Sequence, residues 1–467
     1  MAPGSSSFLR ESNVTPPQLY SPKDFIWGVG ISAYQTEGAA RTEGRGPSIW
    51  DAFPAHKIKD LRNAELSCDF YNRYDQDLGL VSWLGLDHFK TSISWSRIFP
   101  EGFGPINQTG LDFYKRLTDE QLKRGITPWY VLYHWDLPQA LEEKGGWTNR
   151  DTVQRFLDYA HVVVEALNDC VDRWIVMNEP FVFVGAGHFL GIHAPGRSGL
   201  RSFLPAVHHV NLANGMGVNL LQSVAYGKVG TALSFAPVYP ANKSASNSAA
   251  ARRCDKLVNH LFLDPIIKAS YPQEELRFLN KIEKYVQTSD MSNMQCNPDF
   301  LGVQVYTREV VKHQWSIPYL KASLIPADKR GKLVTNLGQE VYPNALLEIL
   351  DKLKLEVPDI PLIATECGIS MEEDDTSENM RDSYRINYYN RVLQSVKHHM
   401  RSRRLQGLFF WSLMDNYEWA EGYTAPFGLF KTNFDSLART PKASAFWVKE
   451  FMATQRKDMT ADTSEVQ

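Results

Sequence analysis

The chain has 467 residues, 43% of them hydrophobic, and a formal net charge of −3. That length and apolar fraction support one large core, since α/β barrels routinely keep a long chain in a single domain. The balanced charge argues against a nucleic-acid or membrane-surface partner, while aromatics at 12% suit both a core and the faces of sugar rings.

Residues 1–20 are Ser- and Pro-rich and are expected to form a flexible tail. Short β-branched apolar runs that stop at turn residues then predict strands at Phe25–Ser32, His88–Ser94, Ile126–His134, Arg173–Glu179, Val229–Phe235, Phe300–Thr307, Leu362–Cys367 and Leu405–Leu413. Between them helical periodicity predicts Asp77–Leu84, Gly110–Arg124, Asp151–Asp169, Phe203–Ala225, Ala250–Lys268, Pro343–Leu355 and Ser377–Met400, with a last helix at Pro441–Ala453. Residues 456–467 read as a polar tail.

Eight strands, each followed by a helix, predict a single (β/α)8 barrel over residues 21–455. An open doubly wound sheet would be expected to show a Gly-rich phosphate turn. Gly28-Val29-Gly30 lies inside the first strand instead, and no G-x-x-x-x-G-K-S/T occurs. The five cysteines are scattered without a C-x-x-C, which argues against a disulfide framework or a zinc site. The N-terminus shows no basic start followed by an apolar stretch, and no apolar run is long enough to span a bilayer. A cytoplasmic protein is the expectation.

In such barrels the active site stands at the C-terminal ends of the strands. Two of those ends carry a glutamate where packing alone gives little reason for one. Glu179 follows Arg173-Trp-Ile-Val-Met-Asn178, and Glu366 follows Pro361-Leu-Ile-Ala-Thr365. An unpaired buried carboxylate is costly, and two carboxylates facing each other are what glycosidic cleavage requires. The other ends offer Gln35, His134 and Trp135, Asn178, Gln304 and Tyr306, Trp411, Glu418 and Trp419. Amides, an imidazole and a carboxylate can divide a sugar's hydroxyls between them, with an indole beneath the ring.

From about Phe25 to Phe451 the chain resembles glycoside hydrolase family one, the retaining β-glucosidase family. The matching segments are Phe25-Ile-Trp-Gly28 with Tyr34-Gln-Thr-Glu-Gly38, Gly46-Pro-Ser-Ile-Trp-Asp51, Ser92-Ile-Ser-Trp-Ser-Arg-Ile98, Tyr133-His-Trp-Asp-Leu-Pro138, Asn178-Glu-Pro180 and Phe410-Trp-Ser-Leu-Met-Asp-Asn-Tyr-Glu-Trp419. The resemblance implies a barrel glycosidase that needs no metal or organic cofactor. It implies Glu179 as acid/base and Glu366 as nucleophile. It further implies Gln35, His134, Asn178, Glu418 and Trp419 at the glycone hydroxyls, Trp411 beneath the sugar and Tyr306 bonded to the nucleophile.

Three positions depart from that pattern. Cys367 stands where the family usually has Asn, Lys90 where it has an arginine, and Gln304 where strand six carries Asn. Lys90 keeps a cation for Glu366 but not a planar fork. After strand eight, Glu418-Trp-Ala-Glu421 and the run to Phe427 place acidic residues where a sugar phosphate would need cations. The resemblance therefore implies hydrolysis of neutral β-glucosides, with galactosides or fucosides as companions. A transglycosidase and a sugar-binding pseudoenzyme on the same barrel are the alternatives. The aglycone site is expected in the loops Phe181–Arg197 and Lys312–Thr335, and oligomeric state is not legible.

Overall fold

A computed structural model describes residues 14–19, 21–371 and 382–461, with side chains to Arg456 in the last helix. All eight expected strands form: β1 (Ile26–Gly30), β2 (His88–Ser92), β3 (Thr127–Tyr133), β4 (Arg173–Asn178), β5 (Lys228–Ser234), β6 (Phe300–Gln304), β7 (Leu362–Cys367) and β8 (Leu405–Trp411). Each pairs in parallel with the next in chain order, and β8 closes on β1. The strands are buried on both faces, which explains their continuous apolar runs.

Inside the barrel Ile26, Trp129, Val131, Ile175, Ala232, Phe300, Ile363 and Phe409 form a separate apolar cluster. The two glycines of β1 belong to this packing. A Cβ at Gly28 would stand 2.3 Å from the Phe409 ring, and one at Gly30 would stand 3.0 Å from Lys90 Cε. They make room for side chains from other strands.

The main outer helices are α1 (Phe70–Leu84), α2 (Gln108–Lys123), α3 (Asp151–Leu167), α4 (Leu200–Val224), α5 (Ala245–Asp255), α6 (Ala345–Glu356), α7 (Ser383–Arg401) and α8 (Ala443–Ala461). Several limits differ from expectation. The helix expected over 250–268 is α5, then a π-turn at Lys256–His260 and a short helix at Asp264–Lys268. Pro265 breaks it by removing a backbone donor. The expected start of α7 at Ser377 lies outside the described residues. The polar tail expected from 456 begins inside α8, since Gln455, Arg456 and Lys457 are good helix formers. The tail expected over 1–20 is mostly outside the described residues. Its stretch 14–19 is docked, with Leu19 buried and Trp447 Nε1 donating to the Val14 carbonyl at 2.8 Å.

Two small sheets outside the barrel were not anticipated: Phe430–Thr432 pairs antiparallel with Arg439–Pro441, and a larger one lies near the strand ends. Val238–Pro240, Glu309–His313 and Ala322–Leu324 form a three-stranded sheet that follows β5 and β6 and packs on α5.

Candidate active site

A cavity of about 660 Å³ opens where the strands end, lined by residues at or after the ends of β1, β3, β4, β5, β6, β7 and β8. Both glutamates singled out in the sequence face into it. The two strands that carry them shift register just before their ends, β4 between Ile175 and Asn178 and β7 between Ala364 and Glu366. Such irregularities re-aim a side chain, and here they occur on the strands that deliver the two carboxylates.

Glu366 is held at both oxygens. Lys90 Nζ, fully buried on β2, donates to Oε1 at 2.6 Å, and the Tyr306 hydroxyl donates to Oε2 at 2.5 Å. Lys90 also stands 5.0 Å from the centre of the Trp411 ring. Burial and the Glu366 charge drive the Tyr306 hydroxyl well above its ordinary range, so it remains a donor.

Glu179 is arranged differently. Its backbone is left-handed, φ 49° and ψ 57°, at the start of the helix Pro180–Val184, and its amide donates to Ala232 O at 2.9 Å. A left-handed non-glycine residue is strained and persists only where surrounding structure holds it. Its carboxyl makes no hydrogen bond or ion pair among the described residues. Burial pushes its pKa well above the ordinary carboxylate range; the Glu366 charge adds to this, Lys90 opposes it and Glu418 adds a little more. The fold therefore sets beside each other one carboxylate clamped by donors and one carboxyl that favours its proton.

The polar groups around them form two chains. Gln304 Nε2 donates to Asn178 Oδ1 at 2.8 Å and to Thr365 Oγ1 at 3.2 Å. That orients the Asn178 amide so that its Nδ2 donates to His134 Nε2, 3.2 Å away. His134 is thereby a neutral imidazole with its proton on Nδ1, which has no partner among the described residues. Burial and then Lys90 hold its pKa well below the usual value, which agrees with that tautomer. In the second chain Gln35 Nε2 donates to Glu418 Oε2 at 3.1 Å and to Asn416 Oδ1 at 3.2 Å, while Gln35 Oε1 accepts from Ser32 at 2.7 Å. Burial first, then Glu366, pushes Glu418 up to about 8.

Aromatic rings make the walls. Trp411 and Trp419 each stack on His134, at 6.1 and 5.8 Å between ring centres, and Trp419 packs on Trp135 at 4.6 Å. Trp135 Nε1 donates to the Asn178 carbonyl at 2.9 Å, and Phe427 meets Tyr306 edge-on at 5.8 Å. Trp135 and Trp419 share the left-handed backbone of Glu179, with φ 76° and 52°.

Of the residues singled out in the sequence, all but Asn178, Lys90 and Cys367 border the cavity. Asn178 and Lys90 act from behind, through His134 and Glu366. Cys367 does not border the cavity, is buried, and has its thiol pushed up to about 12 by burial. It packs as a small apolar residue and is poorly suited to reactivity. Asn416 and Glu309 were not singled out. Asn416 lies within a quoted segment and could have been read there, whereas Glu309, on a strand flanked by polar residues, looks in sequence like any solvated charge. Both expected aglycone loops do reach the cavity, through Phe181, Phe189 and His193 and through Leu320 and Leu324. Among the described residues no helix is long and apolar enough to cross a membrane.

The profile described as "Glycosyl hydrolase family 1" matches residues 18–457. "Beta-glucosidase A" of Acetivibrio thermocellus is 39% identical, covering 92% of this chain and 97% of that protein. "Beta-glucosidase" of Agrobacterium sp. is 38% identical over 91% of this chain and 94% of its own. Among solved structures, the Thermotoga maritima family 1 glycoside hydrolase complexed with a cyclophellitol-analogue transition-state mimic superposes with a TM-score of 0.89 at 35% identity, covering 93% of this chain and 98% of that one. Virulence factor SghA of Agrobacterium tumefaciens gives a TM-score of 0.89 at 37% identity, over 93% of this chain and 98% of its own.

Proposed function

From the premise that the chain belongs to glycosyl hydrolase family 1, we propose that it is a retaining β-glucosidase with Glu366 as nucleophile and Glu179 as acid/base. The observation that carries this assignment is the asymmetry of the two carboxyls. Glu366 has a cation and a hydroxyl on its oxygens, while Glu179 lies unbonded with its pKa raised.

In the first step a Glu366 oxygen attacks the anomeric carbon as the glycosidic bond breaks, and Glu179 passes its proton to the departing oxygen. The Glu366 charge is consumed in the new ester. Since that charge helps hold the Glu179 proton, its loss makes Glu179 a stronger acid. It then stands ionised, able to take a proton from the water that attacks the glycosyl-enzyme. Cleavage of the ester returns the charge to Glu366 and the raised pKa to Glu179. One electrostatic coupling thus switches Glu179 between acid and base.

In this reading Gln35, Glu418, His134 and Trp419 receive the glycone hydroxyls, with Trp411 beneath the ring. The unpartnered Nδ1–H of His134 is a free donor for one of them. Asn178 and Gln304 position His134, and Lys90 and Tyr306 position Glu366. Phe427 supports Tyr306, and Trp135 braces the Trp419 wall. Neutral glucosides fit this site, with galactosides and fucosides as secondary substrates. Five free cysteines suit a reducing, cytoplasmic setting.

A 2-deoxy-2-fluoro-β-glucoside with a good leaving group tests the assignment. It should inactivate the enzyme and leave its mass on the peptide containing Glu366, and NMR early in turnover of an ordinary glucoside should show the β-anomer. An α-anomer, or label on another peptide, would remove Glu366 from the role.

A further inference from the structure

The cavity continues past the two carboxyls into a second region with a different character. Its walls come from the segments after β4, β5 and β6: Phe181, Phe189, Phe203, Leu257, Val258 and Leu320 are among them. One charged side chain stands in this apolar stretch. Glu309, the first residue of the outer strand Glu309–His313, lines the cavity and is only half-buried. Its amide is anchored to Pro237 O at 2.8 Å, so its place is fixed, yet its carboxylate makes no hydrogen bond or ion pair among the described residues.

The cation whose charge acts on Glu309 is engaged elsewhere. Arg330 bonds the Glu340 carboxylate and donates to Ile325 O at 3.1 Å. Burial raises the Glu309 pKa, Arg330 only partly opposes this, and Glu340 adds to it. The sign of the whole cavity points the same way. Glu179, Glu309, Glu366, Glu418 and Glu421 line it, and none of its described lining residues is Lys or Arg. Low-dielectric walls of one charge sign favour a ligand of the opposite sign and repel an anion. A partly desolvated carboxylate without a partner gains from a donor that a ligand supplies.

We propose that Glu309 is a specificity residue of the aglycone site, and that it selects apolar aglycones carrying a hydrogen-bond donor, an ammonium or hydroxyl, beyond the scissile bond. This rests on the glucosidase reading and extends it from the sugar to the leaving group. The apolar walls take the body of the aglycone, and the carboxylate takes its donor. A carboxylated aglycone, at the other extreme, meets a cavity without a cation to receive it.

Matched β-glucosides with four-, six- and eight-carbon chains ending in methyl, hydroxyl, amine or carboxylate test this by glucose release. For at least one chain length, the wild type should prefer the amine and hydroxyl over methyl by about tenfold in kcat/KM, the size of one good charge-assisted bond. The carboxylate should be the poorest. Glu309→Leu should bring the amine-to-methyl and hydroxyl-to-methyl ratios to about one. Glu309→Gln should lose much of the amine preference while retaining that for hydroxyl. Ratios within one preparation are insensitive to how much variant protein folds. A wild type indifferent to the end group at every length, or variants whose ratios match the wild type, would overturn the proposal. Failure to hydrolyse every member, together with phenyl β-glucoside, would tell against the glucosidase reading instead.

Discussion

In the lower barrel Ile26, Trp129, Ile175, Phe300, Ile363 and Phe409 fill the interior with carbon. Toward the other end, the barrel strands and the loops after them carry Lys90, Glu179 and Glu366 and the left-handed Trp135 and Trp419, with register shifts at the ends of β4 and β7. Both regions are buried, but their energetics oppose each other. The apolar layer gains from every group removed from water. The rim holds two carboxyls and a phenol with raised pKa values and an imidazole with a lowered one, each shifted first of all by burial. The difference shows how a barrel can carry strained, desolvated chemistry at one end: a dry, closely packed layer at the other end of the same strands offsets its cost.

The largest expected break in that contrast is chemical. Glu179→Gln should lower kcat on a disaccharide by about 10³-fold, within the usual range for a lost acid/base. An activated aryl glucoside, which needs little protonation, should still give a glycosyl-enzyme burst, and azide should restore turnover as the β-glucosyl azide. Unchanged disaccharide kinetics would exclude Glu179. The matching break in the lower layer is Phe300→Ala, which should cost about 3–5 kcal/mol of stability. Denaturant unfolding would record that loss while kcat/KM of the folded fraction stays within a few-fold.

A sharper comparison uses pH. Glu418 has an ordinary value of 4.5 when free and about 8 in the fold. Between those limits the unfolded chain gives up this proton while the folded chain keeps it, so stability falls as pH rises across that window. Glu418→Gln should therefore recover stability on the order of a few kcal/mol at pH 9 and almost none at pH 4, measured by denaturant midpoint. Its affinity for glucosides should fall. A variant with the same pH slope as the wild type would show that this carboxyl does not load the rim.

Lys90 gives the smallest effect, since it touches only one oxygen of Glu366. Lys90→Met should lower kcat/KM at least about tenfold, roughly 1.4 kcal/mol. Because Lys90 also lowers the Glu179 pKa, the alkaline limb of the rate profile should move to higher pH. Lys90→Arg should hold or raise kcat where the longer fork fits. A Met variant with wild-type rate would remove Lys90 from the pair.

Much of this was legible in the sequence, because its signals are local. Eight buried apolar runs and the polar residues at their ends can be read from strand and helix periodicity, and each run specifies its own strand regardless of partners. The motifs around Gln35, Glu179 and Trp411 likewise determined the family. Helix limits near Pro265 and the outer sheet were less legible, since packing on α5 rather than local pattern stabilises them. Only the tertiary structure decided that Lys90 lies 2.6 Å from a glutamate 276 residues away, that Cys367 faces the packing rather than the cavity, and that Glu309 stands unpaired beside an apolar wall. Each of these depends on barrel closure and loop placement. Those are set by the summed packing of distant residues, and no single stretch of the chain encodes them.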